Sequence, residues 1–324
     1  MSSLRPEGAD PPWGGPAADL MAAVPAPARA ITGAAFATLL LIALMMGANH
    51  VAARVAFNNG VDVATAVVFR STITAVVIAV ILVVQGVKLK FTTRHKQMLP
   101  VIGVLIGIQS LCLYSSVARL PVALALLAFN TYPIWTALWS ALFYRKAPEK
   151  AMLVAMPVIL IGLAIALDVF GAASGLGASG QWARIGAGVA FALAAAGTFG
   201  LALVLTQHEA GDVDGRVRTG TTMVIAALIA FATVGLQGGF HLPTAPAGWG
   251  GLAALTFLYG TAFTIMFTVL PRLGVVGNSA IMNVEPVFAL VLAWLILGQA
   301  IAPVQVGGAL LVVGAVMALG LRKK

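Results

Sequence analysis

The sequence predicts an all-α membrane protein in which ten transmembrane helices form two inverted five-helix repeats. Three observations support this fold class: the composition, the number of long apolar runs and a repeated residue spacing. Of the 324 residues, 60% are hydrophobic and 9% are charged, and the mean hydropathy is +1.01. The surface of a water-soluble protein does not have this balance, so most of the chain belongs in a lipid bilayer.

Ten apolar runs are long enough to cross the membrane. A helix needs about 20 residues to cross about 30 Å of hydrocarbon, and runs of this length favour helices over the shorter alternating strands of a barrel. They place a first repeat at residues 31–170, a linker at 171–182 and a second repeat at 183–324. The predicted spans are residues 33–57, 63–86, 99–118, 121–144, 151–170, 183–206, 218–238, 248–271, 274–297 and 301–321.

Basic residues in the connections predict the orientation. Only Arg119 and Arg184 fall on one side of the ten spans, and the other basic residues outside the spans share the opposite side. Basic residues accumulate on the cytoplasmic side, so both termini are expected there. The net charge of +9 therefore reflects membrane topology, and we expect no nucleic-acid partner.

The second half of the chain repeats features of the first with an offset of 153 residues. Residues 119–133 and 272–286 both begin with Arg-Leu and end with Asn-x-x-Pro, and the same offset pairs Gly47 with Gly200. Because each half contains five spans, the second half enters the membrane upside down relative to the first. Inverted repeats that meet at a midplane site are a common plan for secondary transporters.

Residues 1–30, which precede the first span, contain six prolines and no apolar periodicity. This composition predicts a disordered cytoplasmic tail. A cleaved signal peptide is the alternative, but the apolar run that follows is longer than the hydrophobic segment of a signal peptide.

Spans 1 and 2 carry cationic and titratable residues. His50 and Arg54 lie on one face in the outer half of span 1, and Arg70 lies at a similar depth in span 2. This arrangement predicts an outer vestibule with a titratable gate. In the alternative, Arg54 extends to the membrane interface, His50 is a packed polar residue, and Arg70 anchors helix packing or an ion pair.

Spans 4 and 9 contain Pro133 and Pro286 near their middles. Each proline removes a backbone donor and frees a carbonyl one turn earlier, so both spans are expected to be kinked or locally unwound. Asn130 and Asn283 lie on the same helical faces and would either satisfy the freed backbone or contact a substrate. In the alternative, the prolines are packing kinks only.

Glu285 is the only carboxylate in the middle of a predicted span. An ionisable group at this depth persists mainly where it faces a hydrated cavity, a partner or a ligand. The residue that corresponds to it by the repeat offset is Tyr132, so the acid breaks the symmetry of the repeat. We interpret Glu285 as a proton-coupling or cation-binding carboxylate. The alternative is a glutamate that is hydrogen-bonded inside the bundle or paired with a basic residue.

Aromatic and hydroxyl residues extend the candidate pathway. Tyr259 and the neighbouring threonines of span 8 would line a polar path, and Trp135 and Trp139 of span 4 would form an aromatic wall for a cationic or amphipathic ligand. The alternatives are hydroxyls that hold helices together and tryptophans that pack or face lipid.

The residues expected of a membrane-embedded enzyme or an ATP-driven pump do not occur in the required patterns. His95, His208 and His241 fall in loops or at span ends, and Cys112 is the only cysteine. These positions suit neither a metal centre nor a nucleophile with its base, and no Gly-Lys-Ser/Thr phosphate loop is present. We therefore predict no enzymatic activity, no metal and no cofactor.

Four features carry a family resemblance: Met46–Asn49 in span 1, Arg70 in span 2, Tyr132–Leu138 in span 4 and Glu285–Gly298 in span 9. In these features the chain resembles the EamA-type transporters of the drug/metabolite transporter superfamily. The resemblance implies a cavity between the halves, with Asn49 on the pathway, and export of amino acids or other small metabolites through a bacterial cytoplasmic (inner) membrane. Gln299 stands where the family usually carries an acid.

Together these features predict a secondary transporter that exports small polar metabolites such as amino acids by alternating access, with or without protons as the coupling ion. The alternatives are an uncoupled facilitator or channel-like pore and, further removed, a membrane-embedded enzyme. The expected partners are a small-molecule substrate and the lipid bilayer.

Overall fold

The computed structural model describes residues 33–87, 89, 91–148, 150–269 and 280–321, and all of their regular structure is helical. The predicted tail at residues 1–30 and the basic residues Lys88, Lys90 and Arg272 lie outside the described residues. The elements are α1 Gly33–Asn58, α2 Val63–Val84, α3 Thr93–Arg119, α4 Val122–Phe129, α5 Tyr132–Tyr144, α6 Lys150–Ala166, α7 Gly177–Glu209, α8 Gly215–Leu236, α9 Pro246–Thr268, a 3₁₀ turn Ala280–Val284, α10 Glu285–Leu297 and α11 Pro303–Leu321.

The all-α membrane class predicted from composition is confirmed. Within the described ranges, seven helical segments are long and apolar enough to cross a membrane, with α4 and α5 taken together as Val122–Tyr144. Three shorter apolar segments accompany them, namely Lys150–Ala166, Ile281–Leu297 and Pro303–Ala318. The count of ten spans stays a prediction.

Helix ends follow local capping chemistry. The Asp62 carboxylate caps α2 by accepting the backbone N–H of Thr65 at 2.6 Å. Thr92 and His95 form a reciprocal capping box at the start of α3, which satisfies two backbone donors that have no partner inside the helix. Gln299 receives the backbone N–H of Val122 at 3.0 Å, so it caps α4 from a distant connection. A neutral amide therefore performs a capping role at the position where the family usually carries an acid.

Spans 4 and 9 are interrupted where the Asn-x-x-Pro motifs lie. Helix α4 ends at Phe129, and α5 begins at Tyr132 with Pro133 in its first turn. In span 9, the 3₁₀ turn gives way to α10 at Glu285, and Pro286 again lies in the first turn. Proline is well tolerated at this position because its missing N–H would have no partner inside the helix.

The helices from the two halves of the chain pack against each other rather than forming two separate bundles. Helix α1 packs on α9 and α10, while α7 packs on α3 and α5. Two further pairs, α2 with α8 and α6 with α11, also join the halves. The centre of the molecule is therefore lined by helices from both halves.

Side-chain hydrogen bonds organise the segment that joins the two halves of the chain. Helix α7 begins at Gly177, so the second part of the segment 171–182 is helical. The buried Gln181 side chain donates to the carbonyl of Leu167 at 2.9 Å. The Asp168 carboxylate accepts the backbone N–H groups of Ala173 at 3.0 Å and Ser174 at 2.8 Å. These bonds explain why the helix starts early, because they hold its first turns against the end of α6.

We expect Asp168→Asn to lower the thermal unfolding midpoint at neutral pH. The backbone N–H of Ala173, and then those of Ser174 and Ala172, hold the pKa of Asp168 below its ordinary value. A lowered folded-state pKa stabilises the fold above the unfolded-state pKa of about 3.9, and this stability is lost as pH falls through the folded-state value. Asparagine tolerates the positive φ of 51° at this position, so the substitution removes the charge and one of the two acceptor oxygens without straining the backbone. Unfolding of the detergent-solubilised protein followed from pH 7 to about pH 3 should show the difference shrink, and an equal difference at every pH would contradict this account.

Candidate functional site

The Glu285 carboxylate points from the second half of the chain toward the first. It lies in the first turn of α10, and its Oε1 is 3.3 Å from Nε2 of His50 on α1. The His50 side chain is 3% exposed and that of Glu285 is 22% exposed. The acid is therefore directed into the helix bundle, where it faces an imidazole able to donate a hydrogen bond to it.

The two interrupted spans are joined by a direct hydrogen bond. The Tyr132 hydroxyl at the start of α5 donates to Oδ1 of Asn283 in the 3₁₀ turn at 3.1 Å. Asn130 is buried beside the same break, and its Nδ2 has no hydrogen-bond partner. Three of the polar residues predicted around the breaks therefore lie at one level of the bundle.

Close backbone approaches bring the long helices against these breaks. A Cβ atom on Gly47 would lie 3.1 Å from both the Glu285 carbonyl and the Ala289 nitrogen. A Cβ atom on Gly200 would lie 2.9 Å from the Thr136 nitrogen. Thr136 and Ala289 are related by the same offset as the two glycines. Glycine permits both approaches because it has no side chain to separate the helices.

A second group of polar residues continues the site toward α2, α3 and α9. The Tyr114 hydroxyl donates to Oδ1 of Asn49 at 2.9 Å, and the Tyr114 ring meets His50 edge-on with centroids 5.6 Å apart. The guanidinium carbon of Arg70 lies 4.5 Å from the Tyr114 ring centroid and 4.0 Å from that of Tyr259. All five side chains are buried. The site is a continuous polar layer that runs from Glu285 to Arg70.

Two of the predicted site residues have other surroundings. Arg54 donates to the carbonyls of Val117 at 2.6 Å and Leu120 at 3.2 Å, which places a cation at the C-terminal end of α3, where the helix dipole favours it. The Trp135 ring stacks on Trp139 at 6.3 Å and lies against the glycines of α7. Arg54 therefore caps a helix, and Trp135 is part of the packing between α5 and α7.

Tyr114 is a site residue that the sequence does not single out. It contacts Asn49, His50 and Arg70 at once, yet it occurs in the sequence as one of several hydroxyl residues of span 3. Neither a charge nor a motif distinguishes it. Only the packing of α3 against α1 and α2 brings it into the layer.

Known transporters resemble this chain in sequence and in fold. Residues 33–167 and 186–321 each match the EamA-like transporter family. The threonine/homoserine exporter RhtA of Escherichia coli strain K12 is 26% identical over 234 residues, which cover 71% of this chain and 72% of RhtA. RhtA from the O157:H7 strain matches equally well. A crystal structure of a protein with 19% identity shares the fold with a TM-score of 0.59 and covers 88% of this chain and 99% of its own. The two matches account for most of the chain and confirm the resemblance seen in the motifs, so the chain belongs to the EamA-like transporter family of membrane-spanning transporters.

Proposed function

We propose that this protein is a secondary transporter of the bacterial inner membrane that exports small polar metabolites, with amino acids as the substrate class. Its similarity to proteins named as threonine/homoserine exporters supports this choice. Membership of a transporter family also favours transport over a membrane-embedded enzyme.

We propose further that ten spans form two inverted halves that alternate access to a central site, with both termini cytoplasmic. The packing between the halves supports this architecture because it is reciprocal. In the repeat, α7 corresponds to α1, α3 to α9 and α5 to α10. Helix α1 packs on α9 and α10, and α7 packs on the corresponding helices α3 and α5. Exchange of conformation between related halves would open the site to one side and then to the other.

The single observation that carries the mechanism is the pair formed by Glu285 and His50. Each half of the chain supplies one member, so a change in how the halves meet would change the distance between carboxylate and imidazole. A carboxylate inside a helix bundle can bind the ammonium group of an amino acid or a proton, and the imidazole beside it can donate a hydrogen bond to that carboxylate. Protons are therefore the coupling ion in this proposal.

Transport by the purified protein in proteoliposomes tests the proposal. We expect radiolabelled threonine or homoserine to exchange faster than in protein-free vesicles, and to accumulate against its gradient when a pH gradient is imposed. Exchange without accumulation would favour the uncoupled facilitator. If neither these two nor any other amino acid moved above the protein-free control, the amino-acid exporter would be refuted.

A further inference from the structure

Arg70 is a buried cation in the centre of the helix bundle. The residue lies on α2 and is 3% exposed. Its guanidinium is enclosed by the rings of Tyr114 on α3 and Tyr259 on α9, at 4.5 Å and 4.0 Å from the ring centroids. Such faces attract a cation, but a ring face offers no hydrogen-bond acceptor to the N–H groups in the guanidinium plane.

Two of those N–H groups are unsatisfied. Nε and Nη2 of Arg70 are buried and have no hydrogen-bond partner. Among the ion pairs formed within the described parts of the chain, none includes Arg70. A buried charge without a counter-charge destabilises the fold, so this arrangement calls for an anionic partner.

The geometry of the unsatisfied atoms indicates which anion. Nε–H and Nη2–H point in the same direction along one edge of the planar guanidinium, and this edge matches the two oxygens of a carboxylate. A lysine in this place would offer a single point charge without the planar fork. The two tyrosine rings hold the plane of the fork, and no protein acceptor among the described residues faces the edge formed by Nε and Nη2.

Arg70 is linked to the Glu285 site by direct contacts. Tyr114, whose ring packs on the guanidinium, also contacts His50, and His50 contacts Glu285. Along this path Nδ2 of Asn49 and Nδ1 of His50 are likewise buried without a partner. A cationic end and an anionic end therefore face one polar layer, which is the charge pattern that complements a zwitterion.

We propose that Arg70 binds the carboxylate of the transported amino acid, while Glu285 receives its ammonium group. The inference rests on the proposed function and adds the residue that selects for a free carboxylate. Substrates that lack this group, such as amino-acid amides, bind weakly.

The test compares threonine with threoninamide in proteoliposomes that contain the wild type, Arg70→Lys or Arg119→Lys. Arg119 is the matched control because its guanidinium also lies over an aromatic ring, at 4.7 Å from the Phe191 centroid, but it is exposed and donates to the Ser115 carbonyl. We expect the wild type to prefer threonine by at least about tenfold in KM, as for a charge-assisted hydrogen bond. Arg70→Lys should raise the KM for threonine by a similar factor and leave that for threoninamide unchanged, and Arg119→Lys should change neither.

Two outcomes would overturn the carboxylate site while leaving the transporter intact. One is an equal loss of threonine and threoninamide transport in Arg70→Lys, which would assign Arg70 to helix packing alone. The other is an equal KM of the wild type for threonine and threoninamide. This result would overturn the carboxylate site even if the Arg70→Lys variant did not fold. A wild type that transports no amino acid would instead refute the proposed function.

Discussion

Glu285→Gln is expected to abolish proton-driven accumulation of substrate while leaving the protein folded. The amide keeps the size of the side chain and its ability to accept a hydrogen bond from His50, which lies 3.3 Å away, but it can neither ionise nor carry a transported proton. We also expect the apparent affinity for the amino acid to fall about 10- to 100-fold, because a hydrogen bond to a charged group contributes about 1.5–3 kcal/mol. The measurement is uptake into proteoliposomes with and without a pH gradient, together with the thermal unfolding midpoint in detergent.

The chain provides a matched control for this substitution. His95 and Asp212 also form an imidazole–carboxylate pair, with 3.0 Å between Nε2 and Oδ1, but the Asp212 side chain is 75% exposed. Asp212→Asn removes the same charge from the same kind of pair outside the polar layer, so it should leave accumulation unchanged. If Glu285→Gln still concentrated substrate with the pH gradient, Glu285 would have no coupling role.

The substitution His50→Gln distinguishes two possible mechanisms of proton coupling. If carboxylate and imidazole carry the proton together, His50→Gln should lose accumulation as Glu285→Gln does. If the carboxylate acts alone, His50→Gln should retain accumulation, because Glu285 is still present to carry the proton. We expect the first outcome, because the carboxylate is the polar neighbour of the 3% exposed imidazole at Nε2.

The sequence contained most of the information about the fold class and little about the contacts within the site. Long apolar runs force the backbone to satisfy its own hydrogen bonds, which selects helices, and the Asn-x-x-Pro motifs mark where two of those helices are interrupted. The proximity of Glu285 to His50 depends instead on how α10 packs against α1. No local pattern specifies that packing, because the small residues that permit it occur throughout the chain.

The surroundings of Arg70 also could not be predicted from the sequence. Its depth in span 2 predicted a place in an outer vestibule or a role in helix packing or an ion pair. The structure surrounds it with two tyrosine rings that lie on different helices. This environment can be recognised only when α2, α3 and α9 are assembled.

Gly47→Val and Gly200→Val are each expected to destabilise the protein by about 1–3 kcal/mol, as overpacking of a close interface does. The new Cβ would meet backbone atoms at 3.1 Å in the first case and 2.9 Å in the second, so neither site can accept the side chain without separating two helices. The control is Gly235→Val on α8, because a Cβ there meets nothing within 4 Å. Chemical denaturation in detergent measures the three differences, and equal stability of all three variants would contradict the close packing.

Transport by the same variants tests whether the repeat is functionally asymmetric. Gly47 lies against the turn of α10 that carries Glu285, whereas Gly200 lies against Trp135 and Thr136 of α5. Separating α1 from α10 moves His50 away from Glu285, so Gly47→Val should lose accumulation driven by the pH gradient even at temperatures where it stays folded. Gly200→Val leaves that pair in place and should keep coupled transport in proportion to the folded fraction. If both variants lost coupling equally, the contact between α1 and α10 would have no special role in coupling. The two interrupted helices would then be functionally equivalent, and the proposed asymmetry would be wrong.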